Sequence, residues 1–128
     1  MKLVFDDVIN KHRGIPCAVA CHGPSLNNDK HDISALQEEG KVIRISVNEW
    51  YDFFDIKPNY WVVSNTEFTI KSSIASSHLW KQRGYPHDVF NKYAVPLLYN
   101  MTADLTEPGF IEKNLLCDYF PYDSKHFG

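Results

Sequence analysis

Residues Ile15 to Cys21 form an unbroken apolar run that stops at His22-Gly23-Pro24-Ser25. A short run without alternation predicts a strand buried on both faces, central in a parallel sheet. Before it, Phe5, Val8, Ile9 and His12 fall at helical spacing and Gly14 closes the segment. That pattern predicts a short amphipathic helix over 3–12. After the run, a helix is expected over 29–39, with Ile33 and Leu36 inward and Gly40 as terminator. Residues 42–47 read as a second strand. Residues 49–55 read as a short aromatic helix with Trp50, Phe53 and Phe54 on one side. The turn Ile56-Lys57-Pro58-Asn59 leads into a third strand over 60–64.

The pattern then weakens. Over 69–81, Ile70, Ile74 and His78 recur at intervals of four, but Ser72, Ser73, Ser76 and Ser77 are poor helix formers. Gly84-Tyr85-Pro86 breaks that segment. A turn of helix is expected at 89–93, a fourth strand at 94–100, a polar loop at 101–108, a fifth strand at 115–120 and an irregular tail at 121–128. Strands alternating with helices over short links imply parallel pairing and right-handed crossovers. The expected fold is therefore α/β, a Rossmann-like three-layer sandwich with a mainly parallel sheet of about five strands. Helices are expected on both faces, and the first three strands in the order 3-2-1. The 128 residues fit one domain, 1–128.

Composition narrows the function classes. Hydrophobic residues make up 44% and charged residues 23%, a globular balance. A net charge of -3 gives no electrostatic reason to expect nucleic acid as a partner. No apolar run approaches the ~20 residues of a membrane-spanning helix, and Asp6 and Asp7 come too early for a signal peptide. A cytoplasmic location follows. Cys17, Cys21 and Cys117 are expected to be free thiols, Cys17 and Cys21 as buried apolar side chains. The 14% aromatic content reads as core filling and partner interface rather than a base-stacking platform. The apolar surface it leaves over makes a homodimer the expected assembly.

Candidate chemistry gathers where strands end. An apolar strand, a Gly-Pro-Ser turn and then a helix is a way of holding phosphate. Gly23 admits close approach of a ligand to the backbone. Pro24 stiffens the turn, Ser25 offers a hydroxyl, and the N–H groups that follow sit near a helix start that favours an anion. Asn48 and Asn65 stand after the second and third strands, where ligands of open α/β sheets bind. An asparagine amide donates and accepts, so it can read a ribose hydroxyl or a base edge. The alternative for each is a cap on the following helix or turn. The turn lacks the Gly-x-Gly-x-x-Gly and P-loop patterns, and no lysine is placed for a phosphate.

Metal binding finds little support. The six histidines have no ligand spacing. His22 and His31 flank the turn, and His22 is the one counted with the site. Glu67 and Asp52 are acids that would meet Mg²⁺ only through a bound nucleotide. Ser25 has no evident His–Asp partners, and Tyr119, Tyr122, Asp123 and His126 in the tail read as an ordinary polar terminus.

The stretch Ala20-Cys21-His22-Gly23-Pro24-Ser25-Leu26 resembles the Gly-Pro-Ser-Leu motif of two related families. These are the family 42 glycosyltransferases, bacterial sialyltransferases that use CMP-sialic acid, and the uncharacterised family similar to 6-hydroxymethylpterin diphosphokinase. The resemblance continues through Ile45-Ser46-Val47-Asn48 and through Ile56-Lys57-Pro58-Asn59-Tyr60-Trp61-Val62-Val63-Ser64-Asn65, about half of the chain. It implies a Rossmann-like nucleotide-binding domain with the nucleotide on His22, Gly23, Pro24, Ser25, Asn48 and Asn65. It also implies a transferase lineage, with glycosyl transfer from a CMP-sugar favoured. An aspartate is common in the diphosphokinase-like group where this chain has Asn65, which weighs against Mg²⁺-dependent diphosphate transfer to a pterin. The third alternative is a binding or assembly module with a degenerate site. Both families run well past this length, so the catalytic half is expected to be missing, and the catalytic residues stay unassigned.

Overall fold

A computed structural model describes residues 1–63, 86–100 and 110–122. The fold is α/β and Rossmann-like, with a five-stranded parallel sheet. Its strands are β1 (Cys17–Ala20), β2 (Ile43–Val47), β3 (Tyr60–Val63), β4 (Leu97–Asn100) and β5 (Tyr119–Tyr122). They lie side by side in chain order, every pair parallel. The expected adjacency of the first three strands holds. The order continues past them without reversing, so these strands create no switch-point crevice. The helices are α1 (Leu26–Glu38), α2 (Pro86–Tyr93) and the single turn α3 (Phe110–Lys113). Among the described residues, no helix is long and apolar enough to cross a membrane.

Sheet position overturns one expectation. The Ile15 to Cys21 run does not form a central strand; β1 is the edge of the sheet. Val19 is 62% exposed, and Cys17 and Cys21 are exposed thiols, whereas Cys117 is buried. Apolar character alone does not specify how many neighbours a strand will have. The far edge is treated differently. Leu3 N–H donates to the Tyr119 carbonyl at 2.7 Å and Tyr119 N–H to the Met1 carbonyl at 3.1 Å, so the first residues lie along the outside of β5.

Local signals were partly overridden at the other elements. The expected N-terminal helix is one 3-10 turn at Phe5–Asp7 followed by further turns, with Asn10 in the left-handed region. Helix α1 begins three residues earlier than its apolar spacing suggests and leaves Leu36 40% exposed. Its end follows the glycine. Gly40, at φ 73°, donates to Gln37 at 3.0 Å, and Lys41 donates to Leu36 at 2.9 Å. This is the Schellman arrangement. The aromatic helix after β2 contracts to a 3-10 turn, Trp50–Asp52. The expected helix over 69–81, with His78, and the polar loop over 101–108 lie outside the described residues. So do Asp123 and His126.

The core sits on one face of the sheet. Ala20, Ser46, Trp61, Val63, Leu97, Tyr99 and Tyr119 all point there and are buried. Helices α1 and α2 cover it through Leu26, Val89 and Phe90. Trp61 is fully buried, with Trp50, Phe90 and Tyr93 edge-on at 6.0, 5.2 and 6.1 Å. The aromatic load is thus largely core, as expected. On the other face, His12 of the N-terminal segment packs edge-on against Tyr60 at 5.4 Å.

Arg44 is the exception in this core. It is fully buried on β2. Its guanidinium stacks 3.8 Å over the Phe54 ring, and Nη2 donates to the Ile56 carbonyl at 2.6 Å. Among the described residues Nε and Nη1 have no acceptor, and burial pushes the group down to about 10. The backbone at Arg44 is paired with Asn59, whose Oδ1 accepts the Arg44 N–H at 2.8 Å. Arg44 thus straps the β2–β3 connection at the cost of an uncompensated buried charge.

Two tests follow from these packing arrangements. Arg44→Met is expected to change stability by less than about 1 kcal/mol in urea unfolding, or to raise it, because a buried charge without an ionic partner is removed. Phe54→Ala is expected to cost about 3–5 kcal/mol in the same assay. The second test concerns alkali. Tyr119 donates to Glu112 Oε1 at 2.9 Å, and burial first, then Glu112, pushes its phenol up to about 12 from the ordinary 10. The folded state keeps this proton where the unfolded chain has lost it, so stability is full below pH 10 and falls between pH 10 and 12. Circular dichroism should show wild type losing stability more steeply over that window than Tyr119→Phe.

Candidate functional site

The carboxyl ends of β1 and β2 lie together, because β1 and β2 pair from Cys17↔Ile43 to Ala20↔Ser46. The chain leaves β1 through Cys21 and His22 and leaves β2 through Asn48 and Glu49. His22 joins the two exits. Its Nε2–H donates to the Val47 carbonyl at 2.7 Å, and its ring lies 4.8 Å from that of Phe53. That bond leaves Nδ1 directed at Glu49, 4.0 Å from the carboxylate. The sequence pointed to His22 but missed Glu49 and Phe53. The signal for Glu49 was present, since it follows Asn48 directly at a strand's carboxyl end.

The turn holds its donors differently from the expectation. Leu26 and Asn27 N–H groups fold back onto the Gly23 and Pro24 carbonyls at 3.1 and 3.4 Å. Asn28 and Asp29 N–H groups both go to the Ser25 carbonyl, at 3.0 and 3.3 Å. The N–H groups after the turn, expected to be open, are therefore engaged. Among the described residues, the N–H groups of Gly23 and Ser25 themselves have no backbone acceptor. Ser25 has helical torsions, φ -63° and ψ -20°, and its side chain makes no capping bond. Its hydroxyl is left to solvent. Gly23 has no positive φ, and a Cβ there would meet nothing within 4 Å. Nothing inside the protein requires glycine at this position.

Asn48 has a structural task. Its φ of 52° is left-handed, a region that asparagine tolerates better than most residues. Its N–H donates to Val62 at 2.9 Å. Its carbonyl accepts from Trp50 N–H at 2.9 Å and from the Trp61 indole at 2.6 Å. The cap position of the Trp50–Asp52 turn is Glu49, which makes no side-chain capping bond, and the backbone of Asn48 turns the chain out of β2. The structure brings His22, Gly23, Pro24, Ser25 and Asn48 to one end of the sheet. Asn65 and Glu67 lie outside the described residues. His31 is exposed on α1, beyond the turn.

Among the described residues, no group of three His, Cys, Asp or Glu side chains is arranged to hold a metal ion. The donors at the site are neutral N–H and hydroxyl groups, with one imidazole and one carboxylate beside them. Such a set can hydrogen-bond a phosphate or sugar. No family model matches the chain, and neither the curated proteins nor the solved structures give a match.

The left-handed turn at Asn48 gives a direct test. Asn48→Gly should retain more stability than Asn48→Val. The β-branched variant should lose upwards of about 1 kcal/mol in thermal melts, because its Cβ is strained at this torsion.

Proposed function

We propose that this chain is a nucleotide- or nucleotide-sugar-binding domain of a transferase lineage, with glycosyl transfer from a CMP-sugar favoured. The observation that carries the reading is the turn at residues 23–25. It offers two open N–H groups and a free hydroxyl beside an imidazole fixed across two strand ends. In this reading the Gly23 and Ser25 N–H groups and the Ser25 hydroxyl donate to phosphate oxygens. They steady the nucleotide as the sugar–phosphate bond breaks and the acceptor oxygen bonds to the sugar. Asn48 and Asn65 address the ribose and base.

The motif resemblance to the family 42 glycosyltransferases and the pterin diphosphokinase-like family supports the same site. Mg²⁺ would enter only with a bound nucleotide. The setting is a cytoplasm, where the exposed thiols of Cys17 and Cys21 stay reduced. A homodimer belongs to the reading through the exposed apolar residues Ile15 and Val19.

The test is a thermal shift against CMP, CTP, ATP and GTP at millimolar concentration. A cytidine nucleotide should stabilise the chain, by about 2.7 kcal/mol at a hundredfold excess over Kd. Gly23→Ala and Ser25→Ala should leave the ligand-free melting temperature unchanged, since Gly23 faces open space and Ser25 caps nothing. Both should lose the nucleotide shift. The absence of a shift with all four nucleotides would overturn the reading and favour a non-catalytic assembly module.

A further inference from the structure

A second concave site lies at the other end of the sheet. The N-terminal segment runs from the outer edge of β5 past the amino ends of β5, β4 and β3 before entering β1. It encloses a cavity of about 200 Å³ against Tyr60, Pro96 and Asp118. The Tyr60 hydroxyl and His12 Nε2 share a hydrogen bond at 2.5 Å, which ties the segment to β3 and fixes the tyrosine ring as one wall. Leu3, Val8 and Pro96 supply apolar surface. The volume is below the roughly 300–1,000 Å³ of drug-sized pockets and equals about six or seven waters at ~30 Å³ each. A ligand here is small.

Its charges bound the chemistry further. Lys11 lines the cavity, and among the described residues its ammonium has no ion-pair partner. Two carboxylates line it as well. Asp7 accepts the Val4 N–H through Oδ2 at 2.7 Å, and Asp118 pairs through Oδ1 with the Met1 amino group at 3.3 Å. Each has a second oxygen free to accept. Cation and anions around an apolar wall suit a compound carrying both signs at one end and hydrocarbon at the other. We propose that this cavity binds a free α-amino acid with an uncharged apolar side chain. Lys11 receives the carboxylate, and Asp7 and Asp118 receive the ammonium. Leu3, Val8 and the Tyr60 ring receive the side chain. The site is independent of the proposed nucleotide site at the opposite strand ends.

The test is a titration of the full chain followed by amide NMR, with three probes of one shape. Leucine carries both charges, leucinamide lacks the carboxylate, and 4-methylpentanoate lacks the ammonium. Leucine should move the Val8, Lys11 and Tyr60 signals saturably, and each truncated probe should bind about tenfold more weakly, one charged contact being worth ~1.4 kcal/mol or more. Lys11→Gln should weaken leucine about tenfold and leave leucinamide unchanged. Asp118→Asn should weaken leucine and leave 4-methylpentanoate unchanged. Both side chains are exposed, so the fold is expected to survive, and unchanged amide dispersion checks that. No saturable shift with leucine up to about 10 mM overturns the proposal. So does equal affinity for all three probes, or leucine binding that neither variant alters.

Discussion

The indole N–H of Trp61 donates to a main-chain carbonyl, and much of the molecule depends on that bond. Trp61 sits fully buried in the middle strand of the sheet, and its partner is the carbonyl of Asn48. The bond fixes the left-handed turn that ends β2. That turn sets where Val47 and Glu49 stand, and Val47 and Glu49 set how His22 is held. Burial puts a requirement on an indole donor; Trp61 meets it, whereas Trp50 Nε1 has no partner among the described residues. Here that requirement, arising in the core, positions a surface site more than ten residues away in the chain.

Arg44 shows the same coupling at the opposite end of β2. Its side chain and backbone together hold Ile56 and Asn59, so the connection into β3 is strapped to the strand before it. The arrangement fixes register as well as position, because Asn59 is one residue ahead of β3. The charge is poorly compensated, with Nε and Nη1 both lacking acceptors among the described residues. Such a residue contributes to the specification of one connection more than to net stability.

The two ends of the sheet differ in kind. At the carboxyl ends of β1 and β2 the polar groups among the described residues are mainly neutral donors, with His22 and Glu49 as a titratable pair. At the amino ends the groups are charged, of both signs, around a half-open cavity of mixed lining beside the N-terminal segment. A parallel sheet presents two chemically unrelated ends on one frame. The strand order, which never reverses, leaves the amino ends of β3 to β5 side by side beneath that segment.

The sequence by itself determined the order of the strands, their parallel pairing and the Gly40 stop. Each rests on local periodicity or on a residue with special torsions. It also pointed to His22, Gly23, Ser25 and Asn48, because polar residues directly after apolar strands fall at strand ends in this kind of fold. It misjudged β1, since an apolar run carries no information about how many strands will flank it. It misjudged Cys17 and Cys21 for the same reason. Only the tertiary structure decided that the Asn48 carbonyl receives the Trp61 indole N–H, because that donor comes from another strand. Only the tertiary structure joined Lys11, Tyr60 and Asp118 around one cavity, because no local pattern links residues so far apart in the chain.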